Sequence, residues 1–176
     1  MRYTALTVAT VSVLAMSAVQ VFGHGKATGI VMERMELMVV LGDAMKKLKS
    51  ELALGGEYDA GQVVRAAGVI RKHSGEAMTR LFPEGSTEHS EALLSVWEKP
   101  EQFESLAEDL AVYAGAMQIA AQTRRSEAAP MASSMMGGAP ETPDAATLAT
   151  LHPSEAFKAV AETCSACHGD YRLKKK

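Results

Sequence analysis

Near its C-terminus the chain carries Cys164-Ser165-Ala166-Cys167-His168, followed at once by Gly169-Asp170-Tyr171-Arg172. Nothing else in the sequence constrains the fold as strongly, because C-x-x-C-H is the attachment sequence of a c-type haem. Each thiol can add to a vinyl group of the porphyrin, and the adjacent His puts an imidazole nitrogen under the iron. Two cysteines three apart share one face of a helix. They are the chain's only two cysteines, so no other disulfide or metal site competes for them. A redox dithiol and half of a zinc site are the other readings of C-x-x-C. Zinc needs a second ligand pair, and neither another C-x-x-C nor an H-x-x-x-H is present. A thioredoxin-like dithiol belongs in a βαβ setting, and the sequence shows no strand pattern.

A chain of 176 residues is long enough for one domain with a real core. Its residues are 47% hydrophobic but only 5% aromatic, with Ala, Leu, Met and Glu abundant, a mixture that favours helices over sheets. A formal charge of −3 gives no reason to expect nucleic-acid binding. The N-terminus reads as an address: Arg2 precedes a run of apolar and small residues from Tyr3 to Phe22. Residues 1–23 are therefore expected to be a secretory signal cleaved after Gly23, with cleavage after Ser17 and an uncleaved anchor as alternatives. The mature chain, 24–176, is then periplasmic and free of the membrane, where c-type haem is attached.

Apolar periodicity divides the remainder into four helices. The first runs from about Gly29 to Leu54, with Val31, Met38, Met45 and Leu52 every seven residues and Leu41 and Leu48 on a neighbouring row; Gly55-Gly56 stops it. Asp59 and Gln62 resemble a capping box for a second helix carrying Val63, Ala67, Ile70, Ser74, Ala77 and Leu81 and ended by Pro83. A long connection follows, with a short helix expected around Ser90 to Trp97. Pro100 suits the first position of a third helix, whose stripe is Phe103, Leu106, Leu110, Tyr113, Met117 and Ala120. Residues 126–150 turn to Ala, Pro, Met, Ser and Gly and read as a mobile loop, with a helical turn or two at Pro143 to Leu151. Its Met131, Met135 and Met136 are soft-ligand types for Cu(I), but three Met in a chain with 11 are ordinary. The fourth helix begins near Pro153-Ser154 and puts Phe157, Val160, Ala161, Cys164, His168 and Tyr171 on one face. The expected fold is all-α, an antiparallel up-down-up-down four-helix bundle. Its wiring sets the end of the fourth helix beside the start of the first. The haem should therefore lie between them, its other axial side near Val31 to Met45.

With these residues in place, the sequence resembles the cytochrome c-prime family, class II c-type cytochromes with haem near the C-terminus of a four-helix bundle. The likeness covers about 28 to 125 and 153 to 173. It is most specific in C-x-x-C-H-x-x-Y-R, Cys164 to Arg172, and is supported by Arg34 with Met38, by Gly42-x-x-Met45-Lys46-Lys47-Leu48-Lys49 and by Gly56-Glu57-Tyr58-Asp59. The resemblance implies one covalently bound haem c, with Arg34 near a propionate and position 38 facing the iron opposite His168. In five-coordinate, gas-binding members that position is usually aromatic or aliphatic; the low-spin branch has Met there.

On that basis His168 and Met38 are the expected axial ligands, and the expected function is electron transfer with redox partner proteins. Met/His ligation raises the reduction potential. The alternative is a five-coordinate protein binding nitric oxide or carbon monoxide. Met35 lies one turn earlier on much the same face and is a rival ligand, whereas Met45 is about 10 Å along the axis from Met38. Arg34 and Arg172, each one turn from an expected axial ligand, could neutralise propionates by bidentate pairing. Arg172 could also limit access to His168. His24, His73, His89 and His152 are expected at the solvated surface. No catalytic residues are expected: G-x-S-x-G, the P-loop and H-E-x-x-H are all missing, and Glu101, Glu104, Glu108 and Asp109 read as a solvated helix face. The resemblance also allows a homodimer through the first two helices.

Overall fold

The computed structural model describes residues 27–52, 57–126 and 143–174. The expected signal segment, Gly55-Gly56 and the Met-rich part of the 126–150 loop lie outside these residues. Among the described residues seven helices form: α1 (Gly29–Leu52), α2 (Ala60–Lys72), α3 (Glu76–Thr79), α4 (Ser95–Glu98), α5 (Pro100–Ser126), α6 (Ala145–Thr150) and α7 (Pro153–Tyr171). The long ones, α1, α2, α5 and α7, make a four-helix bundle. Broad interfaces join α2 to α5, α5 to α7 and α1 to α2, while α1 meets α7 at only a few points. None of the described helices is long and apolar enough to cross a membrane.

The core face of α1 runs Val31, Arg34, Leu37, Leu41, Ala44, Leu48 and Leu52. Met38 and Met45 flank this stripe, half-buried against the main core. The expected row is buried only at its ends, Val31 and Leu52, while between them the core face follows the three-and-four spacing of Leu37, Leu41, Ala44 and Leu48. α5 is central and buries Phe103, Ala107, Leu110, Ala114, Met117 and Ala121. It packs chiefly on α2, α7 and α6, with smaller contacts to α3 and α4, which a single amphipathic stripe could not serve. Leu48, Ile70, Met117 and Val160 are wholly buried between the long helices.

The Asp59 carboxylate caps α2 by accepting from the Gln62 amide at 3.1 Å, as expected. The helix then stops at Lys72, not at Leu81. Gly75 adopts φ +59°, a conformation that ends helical geometry, and its N–H donates to the Ala107 carbonyl of α5 at 2.8 Å. The short α3 continues the buried row with Met78. The expected Ser90–Trp97 helix also shrinks, to Ser95–Glu98, because residues before it are extended and Ala92 forms an antiparallel bridge with Arg172. His152 is not a solvated side chain: it caps α7 by accepting from the Ser154 amide and meets the Tyr58 ring edge-on at 5.3 Å.

Candidate haem site

The last two turns of α7 present Cys164, Cys167 and His168. Both thiols are free and half-buried. Cys164 packs against the main core, and Cys167 against a second cluster of Val96, Phe103 and Tyr171. The pair therefore straddles the junction of the two clusters. Burial, then the neighbouring Cys164 and Asp170, pushes the Cys167 thiol up to about 11; burial also raises Cys164. Burial, aided by Arg172 and opposed by Glu91, holds His168 below its ordinary value. That favours the neutral imidazole a metal needs.

Around this turn the structure builds a fixed wall. Tyr171 is buried and stacks edge-to-face on Phe103 at 5.2 Å, and its hydroxyl donates to the Lys99 carbonyl at 3.4 Å. Phe103 meets Phe82 at 4.9 Å, and the Arg34 guanidinium lies 4.0 Å over the Phe82 ring. An aromatic ladder thus connects Arg34 on α1 to the ring packed beside Cys167. Trp97 locks it from behind, donating from Nε1 to the Phe82 carbonyl at 3.0 Å.

Arg34 is only 5% exposed. Its five N–H groups are all engaged: Nε and Nη2 donate to the Leu81 carbonyl, Nη1 to the Ser86 carbonyl and Ser90 Oγ, and Nη2 to Ser86 Oγ. Every acceptor is neutral. A propionate could bond here only by displacing one of these partners. Arg172 points its Nε and Nη2 at Glu91 Oε2, at 2.8 and 2.7 Å. Met38 packs against the same core cluster as Cys164, while Met35, also half-buried, stands outside that packing. The structure thus gathers Cys164, Cys167, His168 and Arg172 on α7 and sets Arg34 and Met38 on adjacent turns of α1.

Phe82, Ser86, Ser90 and Glu91 were not legible as site residues, because they come from an irregular connection whose partners lie far away in sequence. A cleft of about 540 Å³ between α3 and α5 is lined by Gly75, Glu76, Thr79, Glu101, Glu104, Ser105 and Glu108; it offers neither thiol nor imidazole.

The donor set fits a c-type haem: two free thiols at i and i+3, an adjacent imidazole, and, on α1, a buried cation whose acceptors are all neutral among the described residues. A four-helix bundle with this terminal turn defines a class, the helical-bundle c-type haem proteins. A family model described as Cytochrome C′ matches residues 29–142, well over half of the chain. The chain belongs to the cytochrome c′ family, whose members carry one covalently attached c-type haem.

Among solved structures, cytochrome c′ from Thermochromatium tepidum is 25% identical at a TM-score of 0.60, covering 82% of this chain and 95% of that one. A nitric oxide complex of a leucine-to-isoleucine mutant of cytochrome c prime from Alcaligenes xylosoxidans is 20% identical at 0.58, covering 82% and 94%. A cytochrome c′ with ligand-controlled dimer dissociation is 23% identical, also at 0.58, covering 82% and 95%. No curated protein matches the chain.

Proposed function

We propose that this chain is a periplasmic monohaem cytochrome c′ that takes a diatomic gas, nitric oxide above all, at the side of the haem opposite His168. The observation that carries this reading is its shared fold with a cytochrome c prime solved as a nitric oxide complex. When bound, the haem supplies an iron able to hold one protein ligand and one exogenous one. Cys164 and Cys167 anchor the porphyrin, and His168, neutral at pH 7, gives its imidazole from the same turn. Arg34 places a fixed positive charge on the α1 side, suited to the propionates, and Arg172, paired with Glu91, lies beside His168. Met38 borders the gas side and limits the space there. Residues 1–23 direct export, and pairing of two copies through α1 and α2 is in keeping with the relative whose dimer dissociates under ligand control.

A second reading rests on Met38 itself. Its thioether packs against the cluster that also receives Cys164, and sulfur there would make a His/Met-ligated, low-spin electron carrier serving redox partner proteins. Visible and resonance Raman spectra of the matured protein decide between the two. High-spin ferric and ferrous iron that binds carbon monoxide without a lag is the expected result. A low-spin ferric spectrum with a methionine-to-iron charge-transfer band would overturn the gas-binding reading in favour of electron transfer.

A further inference from the structure

The connection between α3 and α4 is held by groups from both helices that carry the haem site. On one side Arg34 of α1 grips Leu81, Ser86 and Ser90. On the other, the segment 91–93 pairs with the end of α7: Leu93 N–H donates to the Tyr171 carbonyl at 2.9 Å, and Leu173 N–H donates to the Glu91 carbonyl at 2.8 Å. Ser95 Oγ adds a donation to the Asp170 carbonyl at 2.7 Å. The last carbonyls of a helix have no partner within it, so this connection supplies the missing donors at the turn that carries His168.

One side chain joins the two halves. Ser90 Oγ accepts from Arg34 Nη1 at 2.7 Å and from the Ala92 amide at 3.0 Å, using both of its acceptor sites. Ala92 is the residue bridged to Arg172. Ser86 Oγ also accepts from Arg34, but its own proton goes to the Pro83 carbonyl at 2.6 Å, which leads away from α7. We infer that Ser90 is a positioning residue, through which Arg34 fixes the 91–93 segment, closes the end of α7 and holds His168 in place. The inference rests on reading His168 as the iron's ligand.

The experiment uses the haem-loaded full chain and three variants, Ser90→Ala, Ser86→Ala and Ser90→Thr. Amide hydrogen exchange is read at Leu93 and Leu173, and the ferrous iron–histidine stretching band is read by resonance Raman. Loss of one hydrogen bond to a partly buried group should speed exchange about tenfold in Ser90→Ala, with a shifted or broadened iron–histidine band. Ser90→Thr, which keeps the hydroxyl, should restore both. Ser86→Ala should change neither. Unchanged exchange in Ser90→Ala, an equal acceleration in Ser86→Ala, or faster exchange with an unmoved iron–histidine band would each overturn the role. Failure of the gas-binding reading looks different: with a sixth protein ligand, or without His168 on the iron, the unsubstituted protein would show no iron–histidine band, whatever its exchange rates.

Discussion

Gly75 is the corner on which the second helix breaks, and its replacement by alanine has a cost that can be worked out. The residue sits at φ +59°, ψ −140°, a region nearly closed to side chains and worth about 1–3 kcal/mol of strain. An added Cβ would lie 2.9 Å from Glu108 Oε2, but that carboxylate is exposed and can swing aside. Stiffening of the unfolded chain returns about 0.4–1 kcal/mol. The net loss is about 1–2 kcal/mol. Gly115, within α5, is the internal control: its Cβ would meet only the Arg71 side chain, with Cδ at an ordinary 3.6 Å. With Arg71 Nε also at an ordinary 3.7 Å, alanine there should gain about 0.5–1 kcal/mol from helix propensity. At roughly 2–4 °C per kcal/mol for a chain of this size, the two variants should melt about 3–12 °C apart, with the parent between them. Thermal unfolding of the haem-loaded proteins by circular dichroism measures this. Should Gly75→Ala melt at or above the parent, the corner described here is wrong.

Met38→Ala should leave the iron high-spin and speed carbon monoxide association; conversion from low to high spin would instead support the electron-transfer reading, and Met35→Ala should do neither. Met117→Ala, which empties a wholly buried site in α5, should cost about 2–5 kcal/mol in urea unfolding. Asp144 caps α6, and the Thr147 amide and hydroxyl bonds hold its carboxylate below the ordinary 3.8. Its stabilising contribution is therefore complete above that value and disappears as pH falls through the lower folded one, so the Thr147 amide shift should titrate with a midpoint under 3.8. Arg34→Met should cost more in the haem-loaded chain than in a Cys164→Ala/Cys167→Ala chain that cannot be loaded. A difference of about 1.5–3 kcal/mol is expected if propionate charge reaches the guanidinium, and equal costs would remove Arg34 from the haem's surroundings.

The long helices and the haem attachment turn were legible because each is a local pattern. Pro100 and Pro153 mark starts, Asp59 marks a cap, and C-x-x-C-H needs only five consecutive residues. The break at Gly75 was signalled by Ser74-Gly75, yet the apolar row from Val63 to Leu81 ran straight through it. The row survived because Met78 on α3 still faces the core that Ile70 faces from α2. Periodicity reports burial, and two short helices on one line bury the same face as a single long one. The aromatic ladder could not be read at all. Phe103 and Tyr171 belonged to the apolar faces of two different helices and Phe82 gave no signal, and only the fold brings them edge to edge.

Arg34 shows how sequence resemblance and structure answer different questions. Resemblance names a neighbour for the guanidinium, a propionate; the structure shows what the guanidinium does with its donors. Burial draws Arg34 below its ordinary value, but arginine remains cationic in proteins, so the interior carries a charge that five hydrogen bonds satisfy and that no carboxylate among the described residues neutralises. Burying a cation costs several kcal/mol even with good hydrogen bonds, whereas a leucine at this position would cost nothing of the kind. Retaining it is understandable if its two effects are separate: the directional bonds shape the 81–90 segment, and the unspent charge acts over distance on an anion. A porphyrin held at Cys164 and Cys167, as proposed above, would bring two propionates and supply such an anion without needing any of the five donors.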